Sequence, residues 1–173
     1  MTNKYPKKYK MYWKLPNNNT ICFRPIKPED APLWQEMFKQ FSEESVRNRF
    51  FHLIKDPQHE LSFRYCNIDY DSEFAIVAEL IEADHRRILG VVRIVIQPDM
   101  RTAEIAFIIA DPWQGLGLGS KMLDYMIKIC KEKRLKTVYA LVLLDNFRAI
   151  NFLNKKGCTI ESADNYAVQM KVI

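Results

Sequence analysis

Glycine is scarce in this chain, five residues in 173, and three of the five fall in one stretch, Gln114-Gly115-Leu116-Gly117-Leu118-Gly119-Ser120. Long apolar runs are missing too. None approaches the roughly 18 consecutive apolar residues of a membrane-spanning helix, and the N-terminus lacks the apolar core of a signal peptide. A cytoplasmic protein with no membrane partner is the expectation. The four cysteines, Cys22, Cys66, Cys130 and Cys158, form no Cys-x-x-Cys pair, and His52, His59 and His85 add no metal-ligand spacing. Reduced, buried thiols and no bound metal are expected.

Acidic residues are absent from one segment, where Lys4, Lys7, Lys8, Lys10 and Lys14 stand alone. These five account for the net charge of +5: without them the 26 basic residues fall to 21, equal to the 21 acidic ones. The remainder is neutral, whereas a nucleic-acid reader shows a basic face in its folded part, so nucleic acid is not an expected partner. Residues 1–16 read as a basic arm with Tyr5, Tyr9, Tyr12 and Trp13 interleaved, either a solubilising tail or a contact for an acidic partner. Residues 17–173, with ordinary globular composition, read as a single domain.

Hydrophobic period divides that domain into elements. After the turn signal Asn17-Asn18-Asn19, residues 20–24 alternate as a strand. Leu33, Trp34, Met37, Phe38 and Phe41 share one helical face, with Asp30 near its start. Ser42-Glu43-Glu44-Ser45 announces a second helix by an N-cap and an acidic first turn, with Val46, Phe50 and Phe51 as its apolar stripe. Arg47 and Arg49 lie off that stripe, facing solvent or a substrate. Asp56-Pro57 breaks the helix, and residues 61–66 suggest a short helical piece. The period then changes. Residues 73–81, 88–96 and 102–110 are β-rich runs joined by polar turns, a meander of three strands. Leu118, Met122, Leu123, Met126, Ile127 and Cys130 make a helical stripe, and residues 136–144 the next strand, giving a strand–helix–strand unit with parallel neighbours. Asn146 caps a further helix that ends at Gly157, and segments at 159–162 and 166–172 close the chain. The class is mixed α and β.

The glycine stretch joins a buried strand to a helix N-terminus, a position that binds phosphate through free N–H groups and the helix dipole. It does not fit Gly-x-x-x-x-Gly-Lys-Ser/Thr, nor Gly-x-Gly-x-x-Gly, because Ser120 stands where the last glycine belongs. What is present is Gln114-x-x-Gly117-x-Gly119, followed by Asn146-x-x-Ala149-Ile150 at the head of the next helix. With this context the sequence resembles the GNAT superfamily of acyl-CoA-dependent N-acetyltransferases over residues 20–172.

That resemblance implies a mostly antiparallel mixed sheet with one splayed parallel strand pair, and acetyl-CoA as co-substrate. Ile108, Ile109 and Ala110 would run beside the pantetheine arm. The backbone of Gln114, Gly115, Leu116, Gly117, Leu118, Gly119 and Ser120 would cradle the pyrophosphate. Asn146 would bond the arm, cap its helix, or both. An amine nucleophile needs to lose a proton, and Glu104 is the candidate base, a carboxylate in an apolar run where a dry setting would make it a better proton acceptor. A second reading of Glu104 is structural: it falls opposite Val95 and diagonal to Arg93, where it would form a cross-strand ion pair. Many relatives place a tyrosine seven residues after the asparagine, as proton donor to the leaving thiolate. Leu153 stands there instead, leaving Tyr139, Tyr166 or no protein acid.

Ser42 to Phe51, Ile68-Asp69-Tyr70-Asp71 and Phe74-Ala75-Ile76-Val77-Ala78 look like the catalytic domain of bacterial and archaeal protein lysine acetyltransferases that modify acyl-CoA synthetases. This implies a protein lysine as acceptor, for which Glu43, Glu44, Asp69 and Asp71 would supply a complementary charge. The alternatives are a small-molecule amine acetyltransferase and a non-catalytic acyl-CoA-sensing domain.

Overall fold

The alternating runs become strands and the 3.6-period runs helices. In the computed structural model, which describes residues 5–15, 18–55, 59–82 and 85–173, the chain opens with β1 (Met11–Lys14) and β2 (Thr20–Pro25). It continues through α1 (Ala31–Phe38), α2 (Glu43–Phe50) and α3 (His59–Cys66) to β3 (Glu73–Ile81), β4 (Arg86–Ile96) and β5 (Thr102–Ile109). α4 (Leu118–Glu132), β6 (Thr137–Leu143), α5 (Phe147–Lys155), β7 (Thr159–Ala163) and β8 (Ala167–Lys171) complete it. Eight strands form one sheet in the order β1-β2-β3-β4-β5-β6-β8-β7, and every pair is antiparallel except β5 and β6. The crossover helix α4 makes that parallel pair possible.

Strand alternation sorts side chains onto two faces. Ala103, Ile105 and Ile109 of β5 enter the core that Leu118, Met122 and Met126 of α4 complete, while Ala110 joins Trp34, Met37, Phe38 and Val46 of α1 and α2 on the other face. The parallel ladder is short. It links Thr102 with Thr137, Ala103 with Val138 and Glu104 with Tyr139, after which β5 runs on to Ile109 and β6 to Leu143 with no ladder between them. β5 stays paired to β4 and β6 to β8 over that length, so the sheet opens as a wedge whose vertex is Glu104. Crowding on the closed side holds β5 in place: a Cβ on Gly90 would stand 2.8 Å from the Ile108 carbonyl oxygen, an approach only glycine permits.

The N-terminal segment corrects the reading of residues 1–16 as an arm. Residues 1–4, like Pro16, Asn17 and the Asp56-Pro57 break, lie outside the described residues, but from Tyr5 onward the chain is built into the fold. The Tyr5 hydroxyl donates to the Pro25 carbonyl at 2.7 Å, Tyr9 packs edge-on against Phe74, and Trp13 stacks on Phe23. Apolar area decides it: these rings bury while Lys8 and Lys10 keep their ammonium groups at the surface. Phe51 is a second correction. It sits past the end of α2 with φ +64° and is exposed, so it does not extend the apolar stripe.

Asp30 stands at the head of α1, as expected, but its side chain does not cap the helix. It takes both Arg24 Nη atoms at 2.7 Å, and Arg24 also donates to Glu79 at 2.9 and 3.1 Å. All three side chains are buried, and Arg86 adds a further ion pair to Glu79 from the surface. Among the described residues no helix is long and apolar enough to cross a membrane, and no group of His, Cys, Asp and Glu is placed to hold a metal ion.

Candidate active site

The glycine turn follows directly from the end of β5. One 3-10 turn, Asp111–Trp113, leads to Gln114, and the backbone then takes left-handed values at Gly115 (φ +79°) and Gly117 (φ +84°). Gly117 is the N-cap of α4 and brings no capping side chain. Its carbonyl accepts from Lys121 at 3.0 Å, but among the described residues nothing accepts the N–H groups of residues 115–120. Such a run of donors at the positive end of a 15-residue helix is suited to an anion. Leu118 is fully buried and anchors the turn, and Leu116 is exposed.

Gln114 itself is a brace. Its Nε2 donates to the Ile109 carbonyl at 2.9 Å and to Asp111 Oδ1 at 3.0 Å, while its Oε1 accepts from Arg148 of α5. Asp111 in turn receives the Ser42 N–H at 3.0 Å and the Ser45 hydroxyl at 2.7 Å, tying the start of α2 to the end of β5. Asn146 caps α5 as expected, its Oδ1 accepting from the Ala149 N–H at 3.1 Å, which leaves its Nδ2 donors without a partner among the described residues. Arg47 pairs with Asp145 at 2.9 Å, both exposed, so α2 is fastened to the rims of both strands of the wedge.

Backbone parity decides which part of β5 lines the gap. The Thr102 carbonyl accepts from Gln97 and the Ala110 N–H donates to Leu89, both on the β4 side. Alternation therefore turns the backbone N–H and carbonyl groups of Ile105, Phe107 and Ile109 towards the wedge, while the Ile105 and Ile109 side chains enter the core. Of the three residues expected along the pantetheine arm, Ile109 has this parity, with its carbonyl already held by Gln114. Ile108 directs its backbone groups to β4, because the hydrogen-bond period of a strand is two, and Ala110 gives its N–H to Leu89 and its carbonyl to the Trp113 N–H. Phe107, absent from the sequence reading, faces the gap and packs against Phe152 of α5.

Glu104 stands at the vertex, opposite Val95 as the hairpin spacing predicts. The ion pair with Arg93 does not form: Arg93 instead bonds Glu73 of β3 and the Tyr65 carbonyl, and lies over the Tyr65 ring. Nor is the setting of Glu104 apolar. Its apolar neighbours Ala103 and Ile105 point to the opposite face, and Glu104 opens into a cavity of about 320 Å³ between α2, α3, β4 and β5, lined by Arg49, Arg64 and Arg93 among others. Arg49 and Arg47, equivalent in the sequence, separate here. Arg47 is the exposed partner of Asp145, while Arg49 turns into the cavity, where desolvation and the charge of Arg93 pull it down to about 10. Tyr139, the neighbour of Glu104 across the last rung, is raised by burial and by that carboxylate. Leu153 is buried in the core, and Tyr166 is 78% exposed on the turn between β7 and β8. Of the acidic residues expected to meet a basic acceptor, Asp69 lines this cavity while accepting the Asp71 N–H within its turn, whereas Glu43 and Glu44 are exposed in the first turn of α2, outside it.

A wedge between parallel strands thus has partnerless N–H groups at its mouth and a carboxylate at its vertex. The model of the Acetyltransferase (GNAT) family matches residues 33–158. The chain belongs to this family. It is thus an N-acetyltransferase, and GNAT enzymes use acetyl-CoA as co-substrate and an amine as acceptor. An acetyltransferase of Pseudomonas aeruginosa is 26% identical over 127 residues, 73% of this chain and 68% of that protein. Acetyltransferase Pat of Mycolicibacterium smegmatis is 26% identical over 150 residues, 86% of this chain but 44% of Pat, so the chain spans less than half of that relative. The GNAT domain of S. lividans PAT superposes with a TM-score of 0.87 at 22% identity, covering 97% of this chain and 98% of that domain, and shows the same fold.

For a GNAT domain with this turn, Gly117→Val is expected to raise by about tenfold the acetyl-CoA concentration that gives half-maximal thermal stabilisation. A Cβ there meets nothing within 4 Å, so the effect is conformational: a left-handed φ costs an L-residue about 1–2 kcal/mol. Coincident titrations for the two proteins would remove the turn from the binding site.

Proposed function

We propose that this GNAT enzyme acetylates a lysine side chain of a protein, by direct attack of the amine on acetyl-CoA, with Glu104 as general base. The observation that carries this reading is the position of Glu104, on the last rung before β5 and β6 part, with its side chain open to the cavity. The free N–H groups of residues 115–120 suit the pyrophosphate of acetyl-CoA. The backbone of Phe107 and the N–H of Ile109 on the open edge of β5, with the Nδ2 of Asn146, suit the amides of the pantetheine arm. Glu104 takes a proton from the acceptor ammonium, the amine nitrogen attacks the thioester carbonyl carbon, and the carbon–sulfur bond breaks as the amide forms. The thiolate, with a pKa of roughly 8.5 by analogy with cysteine, leaves without requiring a strong acid. Tyr139, which stays protonated beside Glu104, is better placed than exposed Tyr166 to donate to it.

A protein acceptor is favoured by the surface beside the vertex. Leu141 has the parity of Tyr139 and is 40% exposed, next to Gln169 of β8, so the sheet there presents a side-chain surface to an incoming chain. The matches to Pat and to the GNAT domain of PAT agree with this choice, and an acyl-CoA synthetase is the first protein to test. A cytoplasmic setting, in which its free cysteines stay reduced, belongs to the same reading. The test is incubation of the protein and acetyl-CoA with a cell lysate, read by mass spectrometry. Acetyl-lysine on discrete proteins is expected, and acetylation confined to small amines would refute the reading.

A further inference from the structure

The cavity at Glu104 is lined by guanidiniums as well as by the carboxylates a basic acceptor calls for. Three guanidiniums reach it, from Arg49 on α2, Arg64 on α3 and Arg93 on β4, against the carboxylates of Asp69, Glu73 and Glu104. Two of those carboxylates are committed. Glu73 holds Arg93, which also donates to the Tyr65 carbonyl, and Asp69 receives the Asp71 N–H at 3.1 Å inside its own turn. Glu104 remains, and so do Arg49 and Arg64, neither of which has a hydrogen-bond or ion-pair partner among the described residues.

Arg49 is the telling member. It is half-buried with Phe50 beneath its guanidinium, 5.0 Å from the ring centroid, and desolvation with the charge of Arg93 lowers it to about 10. A guanidinium removed from water without a partner is unfavourable until an anion joins it. Arg49 and Arg64 offset the attraction of Asp69 and Glu104 for a lysine that arrives with only its own positive charge. They complement an acceptor that carries a negative group next to the reacting amine. Arg is suited to the task, since its planar fork matches a carboxylate with paired hydrogen bonds.

We infer that this cavity selects acceptors bearing a carboxylate beside the reacting amine, read by Arg49 and Arg64 and supplied by an acidic side chain that flanks the acceptor lysine. The inference rests on the proposed protein lysine acceptor at Glu104, and fails separately from it.

The experiment compares kcat/KM for two peptides that differ only in an Asp or an Asn next to the lysine, with alanine and alaninamide as a second pair for a free α-carboxylate. The wild-type protein is expected to favour the Asp peptide by about tenfold, the size of one charge-assisted hydrogen bond. Arg49→Gln should bring that ratio close to one, and Arg49→Glu should invert it. Arg64→Gln, at an exposed position, provides an independent reduction if the Arg49 variants do not fold, which acetyl-CoA-induced thermal stabilisation reports. Equal rates on both peptides with the wild-type protein overturn the inference and leave the lysine acceptor standing. A preference that survives both Gln variants overturns it as well. Acetylation of alanine over alaninamide, with no peptide modified, refutes the lysine acceptor and the flanking side chain together.

Discussion

Glu104→Gln is expected to lower kcat on a protein lysine acceptor by about 10²–10⁴-fold, the usual contribution of a positioned general base. Acetyl-CoA should still stabilise the variant against heat, since the N–H groups of residues 115–120 and the open edge of β5, which the proposal assigns to it, are backbone that glutamine leaves in place. Glutamine keeps the size and loses the proton acceptor. It also leaves Arg93 undisturbed, because that guanidinium is held by Glu73 and the Tyr65 carbonyl. A purely structural glutamate would behave differently, costing stability and leaving turnover of the folded fraction intact. The decisive comparison is therefore kcat against melting temperature. Turnover within a few-fold of wild type, at unchanged acetyl-CoA binding, would remove Glu104 as base and return the question to water or another carboxylate.

The second large effect lies far from the wedge. Arg24→Met removes the shared partner of Asp30 and Glu79, two carboxylates at 1% and 2% exposure. Leaving the Asp30 charge buried and unpaired, while Glu79 keeps Arg86, costs about 3–5 kcal/mol, which for a domain of this size lowers the melting temperature on the order of 10 °C. The loss should depend on pH. Burial alone would raise Glu79, but hydrogen bonds and charge from Arg24 and Arg86 outweigh it and hold the carboxyl below its ordinary value. A folded-state pKa below the unfolded one contributes stability that is fully present above the unfolded value and is lost as pH falls through the folded value. The gap between wild type and variant should consequently narrow below the ordinary glutamate pKa of about 4.3. A gap that stays constant from neutral pH into acid would show that lost packing, and not the ion network, sets the effect.

Much of this architecture is written locally. Residues 73–81 form a strand with the bounds their period marks out, Ser42 accepts from the Ser45 N–H at the head of α2, and Gly157 takes the left-handed conformation that ends α5. The hairpin register that sets Glu104 against Val95 also follows from the turn at residues 97–101. Each of these depends on neighbours within a few residues: side-chain period, capping geometry, a backbone conformation that only glycine takes without strain. The free donors of the glycine turn belong to the same class, since a helix end leaves its first N–H groups unpaired wherever it is placed.

What sequence distance hides is the choice among partners. Arg93 could bond Glu104 or Glu73, both reachable from β4, and the packing of α3 against the sheet supplied the Tyr65 carbonyl that favours Glu73. Arg47 and Arg49 lie two residues apart on one helix, about 200° around its axis, and only the docking of α2 between Asp111 and Asp145 put one on the rim and the other in the cavity. Lysine-rich residues 5–14 look like a tail until Tyr5, Tyr9 and Trp13 find Tyr70, Phe74 and Phe23. The sequence by itself determined most elements from β2 onward, the glycine turn at the head of α4 and the strand that carries Glu104, because those are properties of short stretches of chain. The tertiary structure alone decided the arginine-lined cavity and the apolar role of the N-terminus, because burial and ion pairing are settled by which distant surfaces meet.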